Sequence, residues 1–161
     1  MIPLFLFMRT GELILLNVTT SVVWMQIPPK RRLKCFIGRL KNVAEIVEEN
    51  EFYHENANMW RITDDLWDNW ESLRDMFDRC HNWQGLTREG GYPDCDMLPF
   101  GMIGKGFGDE RKSALTYDEQ KTMMTLWCLF GSPLMIGAEL TKLDEWTLGL
   151  LTNKKVLSML T

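Results

Sequence analysis

The chain has 161 residues, 45% of them apolar and 25% charged, with a formal net charge of −4. That is enough chain for one hydrophobic core, and the composition excludes collagen-like repeats, low-complexity disorder and a disulfide-dense mini-protein. A balance of 22 Asp+Glu against 18 Lys+Arg argues against a nucleic-acid partner, which calls for a basic patch, and against a polybasic membrane anchor.

The chain reads as two unequal parts, residues 1–51 and residues 52–161. Met1 to Met8 is nearly all apolar, but Arg9 and Glu12 interrupt it, so it is too short to span a membrane. No basic stretch precedes it, which speaks against a signal peptide. Leu13 to Thr19 has the aliphatic density of a short strand, and Val22–Met25 is a further apolar run ended by Pro28-Pro29. Lys30-Arg31-Arg32-Leu33-Lys34 is expected as a solvated loop. This leader has room for one strand and a helix, with no consistent pattern beyond that.

From Val43 the signals sharpen. A polar-rich helix is expected over Val43–Asn56, and a buried strand over Ala57–Ile62. Asp68 with Glu71 has the spacing of a capping box, and Trp70, Leu73, Met76, Phe77, Cys80 and Trp83 then make one apolar helix face. A loop follows from Gly85 to about Pro93, then a short apolar segment, Met97–Phe100, and a glycine-rich loop, Gly101–Gly108. Thr116 with Glu119 is a second capping box, opening a helix through Phe130. Pro133–Ile136 reads as a strand, and Thr141 with Asp144 opens a last helix through Leu151. Short apolar strands alternating with helices predict an α/β protein whose parallel sheet is covered on its faces.

Two polar clusters carry chemistry. In Arg61-Ile62-Thr63-Asp64-Asp65-Leu66-Trp67-Asp68, three carboxylates and a guanidinium stand where a strand ends, the edge of parallel architectures that holds active sites. The same residues also fit a capped helix start, with Asp64 and Asp65 favouring its dipole. Read as D-D-x-x-D, they match a magnesium-diphosphate motif, which belongs in an all-helical setting. Gly90-Gly91-Tyr92-Pro93-Asp94-Cys95-Asp96-Met97 is the second cluster, with two Asp able to accept from sugar hydroxyls, or a solvated turn. The glycine-rich loop at 101–108 lacks a phosphate-loop ending. Cys35, Cys80, Cys95 and Cys128 match no zinc spacing; two disulfides are possible by count, and Cys80 and Cys128 are expected as free buried thiols. His54 and His81 are isolated and expected at the surface or in caps, Ser132 has no nucleophile-elbow context, and most of the seven Trp are expected in the core. No metal site is expected.

At these clusters the chain resembles glycoside hydrolase family 27, the α-galactosidases or melibiases. Ala57–Trp70 resembles the family's sixth-strand segment, Gly90–Leu98 its Gly-Gly-Trp-Asn-Asp-Pro-Asp-Met-Leu loop at the seventh, Ser132–Gly137 its eighth strand and Leu151–Leu157 the helix that ends the barrel. The likeness runs from Phe52 to Leu157 with the motifs in family order. It implies a partial (β/α)8 barrel, the last three to four βα units, and a retaining enzyme that hydrolyses terminal α-linked galactose with two carboxyl groups. In the family an acid/base Asp lies four residues after a sugar-binding Arg. Here that implies Asp65 as acid/base and Arg61, Asp96 and Met97 as sugar-binding residues, with no cofactor. An acid at Asp65 calls for a raised pKa, for which Trp60 and Trp67 are candidate pocket walls.

The departures are specific. The family's nucleophile is an Asp on the fourth strand, and residues 1–51 contain no Asp; the first in the chain is Asp64. The acidic pair for the galactose 4- and 6-hydroxyls has no counterpart either, and Tyr92, Pro93 and Cys95 replace Trp, Asn and Pro. The expectation is therefore a truncated or rearranged barrel behind an unrelated leader, inactive or very weak alone. The alternative is a non-catalytic barrel fragment that binds sugar weakly or only associates. The partner expected is an α-galactoside or related carbohydrate, with no nucleic acid and no membrane, and with self-association through uncovered barrel edges.

Overall fold

The computed structural model describes residues 4–9, 12–19, 22–27, 31–36, 47, 50–103 and 109–160, the first four stretches by their backbone alone. Those four are strands β1 (Leu4–Arg9), β2 (Glu12–Thr19), β3 (Val22–Ile27) and β4 (Arg31–Phe36). After them come α1 (Asn50–Asn56), β5 (Met59–Arg61), α2 (Trp70–Trp83), β6 (Tyr92–Asp94), β7 (Met102–Ile103), β8 (Arg111–Lys112), α3 (Tyr117–Phe130), β9 (Leu134–Ile136), α4 (Glu145–Leu151) and α5 (Lys154–Leu157).

The main sheet has seven strands in the order β6-β5-β4-β3-β2-β1-β9. The expectation of a parallel sheet holds for β4–β5 and β5–β6, but β1 to β4 form an antiparallel meander and β1 pairs antiparallel with β9. The leader thus carries four strands where one was expected. The basic run is not a loop from Arg31 onward: β4 pairs with β3 from Arg31↔Ile27 to Phe36↔Val22. Alternation of charged and apolar side chains is what a strand shows, and Arg31-Arg32-Leu33-Lys34-Cys35-Phe36 carries it only weakly. Beyond β6 the chain reaches β9 as well. The Leu98 N–H donates to the Met135 carbonyl at 2.7 Å, and the Gly137 N–H donates to the Leu98 carbonyl at 2.9 Å.

Among the described side chains, the core is built by α1 to α4 together with β5, β9 and the chain that follows β6. Trp60, Trp83 and Trp127 are fully buried, with Ile62, Leu73, Met76, Leu98, Phe100, Met123 and Met124. Tyr53 stacks on Trp60 with ring centroids 5.6 Å apart, and the edge of His54 meets the same indole at 4.8 Å. His54 is a packing residue that also bonds the Leu86 carbonyl at 2.8 Å, not a surface or capping one. Position 91 has to be glycine, since a Cβ there would come within 2.3 Å of His54 Nδ1.

Local signals decide most element ends. Thr116 and Glu119 form the reciprocal capping box of α3, and Gly131 closes that helix at φ 78°. Two other caps shift. Asn69, not Asp68, caps α2, its side chain accepting from the Ser72 N–H, and Asp144 itself caps α4 by accepting from Thr147. At α2 two adjacent side chains are able to cap, and a tertiary bond decides: Asp68 is taken by Arg111; at α4, Thr141 lies inside a short turn of its own and bonds Glu139. On α2, Leu73, Met76, Cys80 and Trp83 are buried, whereas Trp70 and Phe77 are exposed. Met97–Phe100 is not a strand; the strand is Tyr92–Asp94, five residues earlier, with Pro93 at the sheet's end where its missing N–H costs nothing. The expected helix over 43–49 falls, apart from Val47, outside the described residues, as does the stretch 104–108 of the glycine-rich loop. No described helix is long and apolar enough to cross a membrane.

Candidate functional site

The carboxyl ends of β5 and β6 set the site. The two strands are parallel, in a register that puts Arg61 opposite Asp94, and the Ile62 N–H donates to the Asp94 carbonyl at 3.0 Å. The chain leaving β5 forms a loop, Ile62 to Asn69, and the chain leaving β6 forms a tight turn, Asp94 to Met97. Between them is an open cleft of about 120 Å³ lined by Arg61, Asp65, Trp67, Asp96, Met97 and Arg111, among others. All four residues expected in the site, Arg61, Asp65, Asp96 and Met97, are therefore brought together.

Asp96 is the most constrained of them. It has φ 79°, the one non-glycine residue with positive φ among those described. A side chain in that region carries backbone strain and is held there only when its surroundings over-determine it. They do. Its N–H donates to Asp94 Oδ1 at 3.0 Å, its carbonyl accepts from Trp127 Nε1 at 2.9 Å, and its carboxylate accepts from Leu66 N–H at 2.7 Å and Met97 N–H at 2.6 Å. The Arg61 guanidinium forms an ion pair with the same carboxylate. Ser132 Oγ accepts from Cys95 N–H at 3.0 Å and fixes the middle of the turn.

Arg61 is buried and stands among three carboxylates. Besides Asp96 it reaches Asp65 Oδ1 at 3.6 Å, and its Nε lies 4.0 Å from Asp94 Oδ2. One guanidinium cannot neutralise all of them, and burial shows in their protonation. Asp94 is raised to about 7, mainly by burial, with Arg61 opposing and Asp96 adding. Asp96 is raised too, by burial first, against Arg61 and its backbone donors. Asp94 Oδ2 and Arg61 Nε are both buried without a hydrogen-bond partner.

Asp65 is the opposite case. Its side chain is 81% exposed. Trp67 lines the cleft beside it, but Trp60 does not: its indole is in the core, fully buried against Tyr53 and Trp83. The dry, tryptophan-walled pocket expected around Asp65 is thus absent from the described residues, because β5 turns Trp60 to the face opposite Arg61.

The sequence reading took Asp68 as a helix cap and missed its partner Arg111. Asp68 is buried, and both its oxygens are engaged: Arg111 donates to it through two nitrogens, at 2.5 and 2.7 Å, and Ala114 N–H donates at 2.6 Å. The Arg111 bonds hold the Asp68 carboxyl below its usual range. Nothing in the local sequence signals a partner 43 residues away. Asp65, Asp68 and Asp96 are the described carboxylates lining the cleft, and the last two are occupied as acceptors, so no described residue offers a second free carboxylate. No group of three or more His, Cys, Asp or Glu among the described residues is arranged to hold a metal ion. The Asp64–Asp68 pair of the D-D-x-x-D reading is broken up by the Arg111 bonds. Cys80, Cys95 and Cys128 are free and buried; the Cys35 side chain lies outside the described residues.

The family model for alpha galactosidase A matches residues 39–160. Alpha-galactosidase 2 of Arabidopsis thaliana is 34% identical over 103 residues, covering 64% of this chain and 24% of the relative. Alpha-galactosidase of Cyamopsis tetragonoloba is 30% identical over 64% of this chain and 23% of the relative. Among solved structures, the GH27 β-L-arabinopyranosidase of Geobacillus stearothermophilus superposes with a TM-score of 0.67 at 53% identity, over 71% of this chain and 27% of that one. An α-N-acetylgalactosaminidase assigned in Bacillus halodurans gives 0.55 at 51% identity, over 62% of this chain and 25% of that one. The chain spans about a quarter of the length of the curated relatives it matches.

Proposed function

We propose a function from one premise: this chain belongs to the alpha galactosidase A family. It carries the proton-donor side of a retaining α-glycosidase cleft, with terminal α-linked galactose as the sugar. Residues 52–161 then correspond to the last three to four units of a (β/α)8 barrel, and residues 1–51 are a separate leader whose strands fill the sheet between β5 and β9. The observation that carries the reading is the position of Arg61, in ion pairs with both Asp65 and Asp96 at the carboxyl ends of two parallel strands.

In this reading Asp65 is the acid/base. Being exposed to the cleft, it can approach the glycosidic oxygen, give it a proton as the bond breaks, and later take one from water. Arg61 and Asp96 hold the sugar's hydroxyls, Arg61 as a donor and Asp96 as an acceptor. Met97 supplies an apolar wall. Neither Asp68 nor Asp96 stands free in the cleft as a bond-forming carboxylate, since each already holds backbone N–H donors and an arginine. That favours very weak or no turnover by the chain alone. It also supports the second reading, a fragment that binds sugar or associates with a chain bearing the nucleophile.

The test is hydrolysis of 4-nitrophenyl α-galactoside by the purified chain beside Asp65→Asn, with the α-N-acetylgalactosaminide and β-L-arabinopyranoside as rival substrates. Turnover of the galactoside that is lost in Asp65→Asn supports the enzyme. A folded chain that hydrolyses none of the three, yet shows galactose-dependent protection of the Asp94–Met97 amides, supports the binding fragment. Sedimentation tests the association: a clean monomer would count against it.

A further inference from the structure

Arg111 is not among the residues proposed to hold the sugar, yet it lines the cleft and bonds Asp68 in the loop that bears Asp65. It projects from β8, which pairs with β7 through Met102↔Lys112 and Ile103↔Arg111, so its base is a hairpin rather than a free end. Its guanidinium meets both oxygens of Asp68, at 2.5 and 2.7 Å, in the forked geometry that only arginine offers a carboxylate. The Ala114 N–H adds a third bond to the same carboxylate from beyond the hairpin. Directly after Asp65 the Leu66 N–H is fixed on Asp96 at 2.7 Å, and directly before it the Asp64 carbonyl accepts from Arg61 Nη2 at 3.2 Å. The near half of the loop, through Leu66, is thus held by Arg61 and by the turn after β6, with the exposed Asp65 side chain between those bonds. The far half is held at Asp68, by Arg111 and Ala114.

We propose that Arg111 is a positioning residue, which clamps Asp68 to the β7–β8 hairpin and so fixes where the Asp65 carboxyl stands over the cleft. The proposal rests on the reading of Asp65 as the proton donor, but the clamp itself is open to measurement without turnover. Arg111 is nearly half exposed, its side chain at 45%, so replacing it leaves no cavity; because Asp68 is left buried without its cation, a urea midpoint taken for each variant separates loss of the clamp from loss of the fold.

The experiment compares the full chain with Arg111→Met and Arg111→Lys, by amide hydrogen exchange first. A clamp predicts exchange at least about tenfold faster in peptides covering Thr63–Asn69 and at Ala114, with the α2 amides from Leu73 to Cys80 unchanged. Arg111→Lys keeps the charge but not the fork, and is expected to behave as Arg111→Met does. Unchanged exchange in the 63–69 loop, or a uniform rise over the whole chain, would overturn the clamp. A second readout applies where the wild type turns over. Alkyl α-galactosides need a proton on the leaving oxygen, and dinitrophenyl α-galactoside needs little of it. Misplacing Asp65 is expected to lower kcat on the alkyl substrate about ten to a hundredfold, more than on the aryl one, with KM unchanged. Equal losses on both would overturn the positioning role. Where the wild type is inactive on every substrate, as a missing nucleophile predicts, the exchange data alone decide the clamp.

Discussion

The turn Asp94–Met97 and the loop Ile62–Asn69 face each other across one cleft, and they treat their carboxylates in opposite ways. The turn buries Asp94 and Asp96 almost completely and spends backbone strain at Asp96 to do so. The loop leaves Asp65 in solvent, while its other acid, Asp68, is locked on Arg111. Groups that recognise a rigid sugar gain from being fixed before it arrives, because no ordering cost is left to meet on binding. A group that must donate a proton and then recover one from water gains from access. On the function proposed above, the difference between the two sides is a division of labour between holding and proton transfer. Each side is open to being broken separately.

The turn breaks hardest. Replacing Arg61 by Met leaves Asp96 buried without its cation and Asp94 with a like-charged neighbour. Removing one partner of a buried ion pair typically costs about 3–5 kcal/mol. We expect a fall of that size in unfolding free energy by urea titration, whereas a change under about 1 kcal/mol would show the turn to be more hydrated than its burial implies.

Next is the pH dependence that Asp94 imposes. Its folded pKa, about 7, lies above the unfolded value near 4, so between those values the folded state holds a proton that the unfolded state has released. Stability therefore falls as pH rises through this window. The difference between wild type and Asp94→Asn, measured by urea midpoints at pH 4 and pH 7.5, should grow by roughly 2–4 kcal/mol in favour of the variant. Asp68 works with the other sign. Its lowered pKa stabilises the fold above pH 4 and that contribution is lost as pH falls below it. A flat difference curve for Asp94→Asn would mean that Arg61 neutralises Asp94 in full.

Trp127→Phe removes the indole donor to the Asp96 carbonyl while keeping most of the ring volume. A buried acceptor left unsatisfied costs about 1–3 kcal/mol. The loss should be accompanied by faster exchange of the Met97 amide, which depends on the same turn.

How far the sequence announces all this differs between the two sides. The Thr116–Glu119 box, the 14-residue helix α2 and strand β9 are written in local patterns, and the structure has them where those patterns fall. Arg61, Asp65, Asp96 and Met97 are also legible, through their spacing and order in the family's motifs, although Trp60 was expected on the cleft and lies in the core. Asp68 is not legible. Its position suits a cap as well as Asn69 does, and only the arrival of Arg111 from a distant hairpin decides between them. The leader fails for a related reason. Its strands pair antiparallel with one another and join the sheet at β5 and β9, and short apolar runs announce neither their register nor their partners.

Asp65→Asn is the smallest perturbation to the fold and the sharpest to the function. The side chain is 81% exposed, and its one ion pair, with Arg61, is long at 3.6 Å. Surface substitutions of this kind usually stay within about 0.5 kcal/mol, so the urea midpoint should not move beyond that. The amide keeps the shape and loses the proton chemistry. If Asp65 were a structural residue like Asp96, the variant would unfold early and sugar binding would fall with it. If it is the proton donor, stability and sugar protection of the Asp94–Met97 turn stay as they are, and only hydrolysis disappears. Measured together on one preparation, the three quantities separate the side of the cleft that holds from the side that transfers.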